Sequence, residues 1–259
     1  MASPKATQPD FVTYVTTGVQ NGDPTIIGVL VAIAVVFLTI VFLAIRSRGG
    51  NKRQGVLLMG ICDSGKTLMF SRLAYKTFKQ SFTSVKINSG SVTVPEKNKS
   101  VTVTDIPGHE RLRNQMMDEY KGLARGIIFV VDSGTVQKEI KEVAEYLYTI
   151  LTDRTISQNA PPVLIACNKQ DLTLCKGASV IKNMLEKEMN TLRVTRSAAL
   201  QGIDNTANNN TYLGKRNKDF EFADLKPLRV EFAECSARGK SEASDGDLKA
   251  VLEWMTRIV

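Results

Sequence analysis

Residues 60–67 constrain the fold of this 259-residue chain more than any other segment. They read GICDSGKT, after an apolar run at 55–59 and before a segment at 68–73 whose apolar residues recur with helical spacing. Glycines at both ends let the backbone approach phosphate oxygens closely, and the N-terminus of the following helix adds positive potential. The pattern predicts a phosphate-binding loop for a nucleoside triphosphate.

Each position of this loop has an expected role. Lys66 should reach the β- and γ-phosphates, and the Thr67 hydroxyl should bind Mg²⁺. The alternative is a glycine-containing turn with a solvated lysine, but the strand–turn–helix context favours phosphate binding. The residues expected to bind the nucleotide here are Gly60, Asp63, Ser64, Gly65, Lys66 and Thr67.

A second candidate segment follows a predicted hairpin, with strands at 91–94 and 100–104. Asp105 should hold a magnesium-bound water, and the Gly108 amide should contact a γ-phosphate, although Asp-x-Pro-Gly is also a common turn sequence. A hydroxyl from the loop at 80–85 is a further candidate magnesium ligand, either Thr83 or Ser84, and we favour Thr83. His109, the only histidine, either has a structural role or positions an attacking water.

The rest of the chain alternates strands with helices. Continuous apolar runs at 126–132 and 162–167 are typical of strands buried on both faces of a parallel sheet. A helix is predicted at 137–152, a last strand at 228–233 and a final helix at 245–258. We expect an α/β domain with a mostly parallel six-stranded sheet and helices on both faces.

The segment Asn168-Lys169-Gln170-Asp171 follows one of these buried strands and indicates which base the bound nucleotide carries. The Asp171 carboxylate can accept hydrogen bonds from N1–H and the exocyclic amine of guanine, whereas adenine would leave it unpaired. The Lys169 stem should lie along the base, with Asn168 beside it. After the last strand, small residues Ser236 and Ala237 should let the Ala237 amide reach guanine O6; the alternative is a simple small-residue turn. GTP or GDP, with Mg²⁺, is therefore the expected ligand.

An uncharged stretch at 25–45 precedes this domain. As a helix it would be about 32 Å long, enough to cross a bilayer. Basic residues follow it at once, whereas Lys5 alone precedes it, so the positive-inside rule places the chain after residue 45 in the cytosol. We expect a luminal segment at 1–24, a transmembrane helix at 25–45, a basic linker at 46–54 and a cytosolic GTPase domain at 55–259.

Charge and composition add weaker constraints. The net charge of +8 suits an anionic membrane surface or phosphate handling, and no nucleic-acid-binding motif accompanies it, so we expect no direct sequence-specific nucleic-acid binding. Four cysteines at irregular spacing are expected to be reduced. The composition of 192–227 favours disorder, and a partner-contact loop is the alternative.

The four motifs, in this order and spacing, resemble the small GTPase superfamily. Within it, the Asp105-Ile106-Pro107-Gly108-His109 turn, the N-terminal anchor, the long segment before the last strand and the ending at 232–237 resemble the signal recognition particle receptor β subunit family. The Arf and Sar branch is the next nearest.

This resemblance implies a GTP-binding, single-pass subunit in the endoplasmic reticulum membrane. It implies a heterodimer with the receptor α subunit for co-translational targeting, with nucleotide-dependent association. We expect slow, partner-dependent GTP hydrolysis, because the sequence offers no obvious catalytic arginine in cis. The ribosome or the translocon is a further candidate partner. His109 matches the water-positioning residue of the family and is the expected catalytic residue. The alternatives are an Arf- or Sar-like trafficking GTPase and a membrane scaffold that holds GTP without turnover.

Overall fold

The computed structural model describes residues 20–21, 23–48, 53, 55–78, 86–94, 99–200, 213–239 and 246–259. The candidate magnesium ligands Thr83 and Ser84 lie outside these residues. Contacts within the chain divide it into two units, Met1–Lys52 and Arg53–Val259.

The first unit contains one long helix, α1, Pro24–Arg48. An 18-residue window within its stretch Pro24–Leu43 has a mean hydropathy of 3.2. This is the single helix of the described chain that is long and apolar enough to cross a membrane. The hydroxyl of Thr39 donates to the Val36 carbonyl at 2.7 Å, so this polar group is satisfied within the helix.

The second unit is built on one six-stranded sheet. Its strands are β1, Gly55–Met59; β2, Asn88–Val94; β3, Lys99–Asp105; β4, Ala124–Asp132; β5, Val163–Asn168; and β6, Val230–Glu234. Their order in the sheet is β2-β3-β1-β4-β5-β6, in which only the β2–β3 pair is antiparallel and every other neighbouring pair is parallel. The predicted six-stranded, mostly parallel sheet is confirmed.

Helices cover both faces of this sheet because each strand of its centre is apolar on both sides. The helices of this unit are α2, Lys66–Tyr75; α3, Glu110–Tyr120; α4, Val136–Thr152; α5, Arg154–Asn159; α6, Ala178–Leu200; and α7, Lys249–Ile258. On one face α3, α4 and α6 contribute Met117, Leu147 and Leu185 to the core, and on the other α2 and α7 contribute Met69 and Trp254.

The expectation of disorder for 192–227 is wrong where the structure describes this segment. Helix α6 continues to Leu200, and the buried Arg193 guanidinium donates to the carbonyls of Lys215 and Lys218. Phe220 and Phe222 are 2% and 3% exposed and meet edge to face. The polar composition concealed a folded segment because a few aromatic anchors and one buried arginine fix its backbone.

The four cysteines are free thiols, as predicted. Burial raises the pKa of Cys167 to about 12, which keeps this thiol protonated and unreactive at neutral pH.

Candidate nucleotide-binding site

The predicted motifs meet at one edge of the sheet because β1, β3, β4, β5 and β6 run parallel. The segments that leave the carboxyl ends of these strands therefore lie side by side, at the position where open α/β sheets bind ligands. They are the phosphate-binding loop after β1, the Asp105–Gly108 turn after β3, the turn after Asp132, the Asn168–Asp171 segment after β5 and the Ser236–Ala237 turn after β6.

The phosphate-binding loop needs glycine at both ends because of the backbone angles there and the lack of space for a Cβ atom. Gly60 has φ 140°, and a Cβ there would lie 2.4 Å from the Val130 carbonyl oxygen. Gly65 has φ 90°, and a Cβ there would lie 2.4 Å from Asn168 Nδ2. Between them Asp63 is exposed and adopts a left-handed φ of 57°, while Ser64 is fully buried and donates to the Ile61 carbonyl at 3.0 Å. The loop backbone thus curves tightly against β4 and Asn168.

Lys66 is the buried cation of this loop. Its side chain turns back over the loop, where Nζ donates to the Ile61 carbonyl at 2.6 Å, and the residue is 6% exposed. Burial lowers the pKa of Lys66, and the nearby Asp105 carboxylate partly opposes that shift. A buried ammonium of this kind gains strongly from an anion such as a phosphate.

Thr67 and Asp105 lie together, as the magnesium prediction requires. Thr67 Oγ1 donates to Asp105 Oδ2 at 2.8 Å, and Asn88 Nδ2 contacts the same oxygen at 3.4 Å. Asp105 is 1% exposed, and its Oδ1 has no hydrogen-bond partner among the described residues. Burial raises the pKa of Asp105, although the Thr67 hydroxyl partly offsets it.

This hydroxyl–carboxylate pair fits a hard cation. An unpartnered buried carboxylate oxygen is stabilised by a positive charge, and Mg²⁺ prefers oxygen ligands. The described residues contain no group of three or more His, Cys, Asp and Glu side chains that could hold a metal. One hydroxyl and one carboxylate fit Mg²⁺, which is usually held by one or two protein oxygens while it keeps several waters and binds phosphate oxygens.

The turn after β3 contacts the phosphate-binding loop at Gly108. A Cβ at this position would lie 2.7 Å from both Lys66 Nζ and the Cys62 amide nitrogen, so only glycine permits this approach. His109 follows directly, is exposed and is the N-cap of α3, where Nδ1 accepts from the Arg111 amide at 3.4 Å. The structure places His109 next to the turn with its ring on the solvent side.

Asn168 connects two of the motifs. Its Nδ2 donates to the Ser64 carbonyl at 2.8 Å, and its Oδ1 accepts from the Ala237 amide at 2.9 Å. Asn168 is 1% exposed. The Ala237 N–H, which is predicted to reach guanine O6, donates to Asn168 in this structure.

Asp171 is held in place by Ser236. The Ser236 hydroxyl donates to Asp171 Oδ1 at 2.5 Å and accepts from the Gly239 amide at 2.9 Å. One oxygen of the carboxylate is thereby fixed while the residue stays partly exposed. This arrangement fits an acceptor for two neighbouring N–H groups.

Asp132 is a residue of this edge to which the sequence prediction gave no role. Its Oδ2 accepts from Lys169 Nζ at 2.6 Å, and its Oδ1 accepts from the Gly134 amide at 2.8 Å. The ion pair positions the side-chain stem of Lys169. The backbone of Lys169 is left-handed, with a φ of 66°. Asp132 could have been identified from the sequence because it is an acidic residue at the carboxyl end of a buried strand, as Asp105 is.

Comparison with known proteins adds an independent finding. The model of the family described as "Signal recognition particle receptor beta subunit" matches residues 51–229. The human signal recognition particle receptor subunit beta is 46% identical over 242 residues, which are 92% of this chain and 89% of the human protein.

Solved structures agree with this match. A structure of the mammalian SRP receptor covers 79% of this chain with 44% identity and a TM-score of 0.69. Two structures of the receptor subunit SRb from Chaetomium thermophilum share its fold at 22% identity, one with GDP and Mg at a TM-score of 0.59 and one as a GTP/SRX complex at 0.62.

Proposed function

Because this chain belongs to the signal recognition particle receptor β subunit family, a GTPase-family receptor subunit for protein targeting, we propose that it binds GTP and anchors the receptor α subunit at the endoplasmic reticulum membrane. The observation that carries the proposal is the Asn168 bridge, which joins the phosphate-binding loop to the base-recognition turn. Because the chain belongs to this family, we no longer propose the alternative of an Arf- or Sar-like trafficking GTPase.

The base in this proposal is guanine. Asp171 would accept from N1–H and the exocyclic amine, with its carboxylate oriented by the Ser236 hydroxyl 2.5 Å away. Lys169, held by Asp132, would pack its stem along the base. Adenine would leave the carboxylate without these donors. At sites of this type, such a loss gives discrimination against the wrong ligand of about four orders of magnitude.

The phosphates would be held by the loop at 60–67 and by the Gly108 amide. Lys66 would exchange its bond to the Ile61 carbonyl for phosphate oxygens, which removes the penalty of a buried ammonium paired with a neutral group. Thr67 and Asp105 would hold Mg²⁺, with Thr83 proposed as a further ligand. When bound there, the metal would supply charge neutralisation to the phosphates. The Chaetomium subunit with GDP and Mg supports this choice of ligands.

We place slow, partner-dependent hydrolysis at His109. Its position directly after Gly108, at the start of α3, lets it orient a water beside the γ-phosphate once the turn engages the nucleotide. The ring is exposed, and its Nδ1 accepts a long hydrogen bond from the Arg111 amide at 3.4 Å, a weak constraint on its orientation that agrees with slow intrinsic turnover. A catalytic role for His109 predicts that a partner must fix the orientation of its ring.

Helix α1 is proposed as the single membrane span, with the N-terminus in the lumen and the GTPase domain in the cytosol. Its apolar stretch and the basic residues that follow support this topology. The α subunit is the proposed partner in a heterodimer, which the Chaetomium GTP/SRX complex supports. The ribosome or the translocon is a further proposed contact.

A second candidate function is a membrane scaffold that holds GTP as a structural cofactor. The observation that favours it is the solvent-side position of His109. Single-turnover hydrolysis with and without the α subunit separates the two, because a scaffold would leave GTP intact in both conditions.

The test of the proposal uses a change of nucleotide specificity. The full chain in detergent is loaded with GTP, GDP or xanthosine triphosphate and is used to retain the α subunit. We expect retention on GTP and not on GDP for the natural chain, and on xanthosine triphosphate for Asp171→Asn, because an amide donor complements the extra oxygen of xanthine. Equal retention by all three forms would leave the nucleotide a structural role, and unchanged GTP affinity of Asp171→Asn would refute the base assignment.

A further inference from the structure

The end of the sheet opposite the nucleotide site carries a group of basic side chains, which we call the basic end: Arg53, Arg154, Lys226 and Arg229. These residues belong to the segments that precede β1 and β6 and to helix α5. Strand β4 has nine residues, so the two ends of the sheet are roughly 30 Å apart. The basic end is therefore separate from the nucleotide-binding site.

Contacts place Arg53, Lys226 and Arg229 at one end of the domain, and Arg154 is the first residue of helix α5, which takes part in two of these contacts. The Arg53 guanidinium donates to the backbone and side-chain oxygens of Asn159 at 2.8 and 2.6 Å, which fixes the first residue of the domain against α5. Ser157 of the same helix lines a cavity together with Lys226. The Arg229 carbonyl accepts from the Val163 amide at 2.8 Å, at the start of β5.

The described residues do not neutralise the charge of the basic end. None of its four side chains forms an ion pair within the described residues, and neither α5 nor the segment 225–229 contains an acidic residue. The acidic side chains nearby have their own cations, since Asp153 binds Lys121 at 2.7 Å and Asp224 binds Lys215 at 2.9 Å. The surface therefore presents an excess of positive charge.

We infer that the basic end lies against anionic lipid headgroups of the membrane that α1 crosses. The inference rests on the membrane span of the proposed function. Residues 46–52 alone connect the predicted span to Arg53, and a fully extended chain from 45 to 53 reaches at most about 29 Å. Clustered arginine and lysine side chains within that reach of a negatively charged bilayer are attracted to it, and the attraction is lost at high salt.

This contact has a consequence for the nucleotide-binding site. With the amino ends of the strands at the membrane, the carboxyl ends and their nucleotide face the cytosol. The turn after β3 is then open to a cytosolic partner, while the lipid contact limits how the domain can rotate about its linker.

The experiment measures hydrogen exchange of the full chain reconstituted into two kinds of vesicle, phosphatidylcholine alone and phosphatidylcholine with about a third phosphatidylserine. We expect amides of α5 and of 225–229 to exchange about tenfold more slowly in the anionic vesicles, with recovery of fast exchange at about 1 M salt. The charge-reversed variant R154E/K226E/R229E should show no such difference.

A matched variant controls for net charge. K138E/K141E/K187E changes the charge equally on α4 and α6, where these three lysines are exposed and form no ion pair within the described chain, and it should keep the lipid-dependent protection. GDP affinity should be unchanged in both variants, which shows that each is folded.

The outcomes distinguish a failure of the proposed membrane span from a failure of the proposed lipid contact. Extraction of the chain from vesicles by alkaline carbonate would refute the membrane span itself and the inference with it. A chain that stays integrated but exchanges equally in both lipids, or loses protection equally in both variants, would refute the lipid contact alone. Protection that requires added protein or RNA would overturn it by assigning the basic end to a macromolecular partner.

Discussion

Replacing Asn168 with alanine should uncouple the phosphate-binding loop from the turn that follows β6. The Asn168 side chain is the one connection between the Ser64 carbonyl, at 2.8 Å, and the Ala237 amide, at 2.9 Å, that the described structure contains. Both groups are buried, so alanine would leave them without partners in a site that water cannot enter freely.

The magnitude follows from these two groups. An unsatisfied buried donor or acceptor costs about 1–3 kcal/mol, so the pair should cost about 2–6 kcal/mol of unfolding free energy. A domain of this size has about 5–15 kcal/mol in total, so the variant should remain folded but be clearly less stable.

Denaturant unfolding of the unit Arg53–Val259 measures this loss, and GDP release measures its effect on the site. We expect faster release from Asn168→Ala, because the loop loses its support from β5. The control is Gln170→Ala: Gln170 is only half-buried and donates to Ser133 Oγ and the Lys176 carbonyl, both at 2.9 Å. This control should cost about 1 kcal/mol and leave GDP release unchanged. The reasoning is refuted if both variants lose the same stability or if Asn168→Ala releases GDP at the natural rate.

Three further predictions concern single positions. Since burial raises the pKa of Asp105 above 3.8, its ionised form destabilises the metal-free domain; Asp105→Asn should raise metal-free stability at neutral pH, and its advantage should shrink as the pH falls through the raised pKa, as denaturant titrations in chelator will test. Gly65→Ala should weaken GDP binding about tenfold or more, since its Cβ would meet Asn168 at 2.4 Å, whereas Gly122→Ala, with nothing within 4 Å, should bind normally in a fluorescence titration. Arg193→Met should speed hydrogen exchange in 213–220 and cost about 2–4 kcal/mol, and unchanged exchange there would contradict the anchoring role of this arginine.

The sequence predicted the fold well where apolar periodicity is strong. The buried strands β4 and β5 and helix α4 begin and end within about two residues of the prediction, because their apolar patterns admit one structure. Strand β2 begins at Asn88, earlier than the predicted residue 91, since its first residues are polar and their strand structure depends on pairing with β3. A hydroxyl contact between Ser89 and Thr104 at 3.2 Å is part of that pairing.

The segment after α6 shows where local composition misleads. Its lysines and asparagines predict a solvated loop. The buried Arg193 side chain of α6 nevertheless donates hydrogen bonds to the backbone carbonyls of Lys215 and Lys218. Hydrogen bonds of that kind join residues more than twenty positions apart, so no local pattern reveals them.

The sequence by itself identified the segments of the candidate site and predicted a chemistry for each. Glycine spacing, an acidic residue at a strand end and a guanine-type motif are local properties of the chain, so they could be identified without a structure. The tertiary structure decided how those segments hold one another. It showed that Asn168 engages the Ala237 amide, that Asp132 positions Lys169 and that Ser236 orients Asp171. These contacts depend on the order of the strands in the sheet, which brings distant residues to one edge, and that order follows from packing of the whole core.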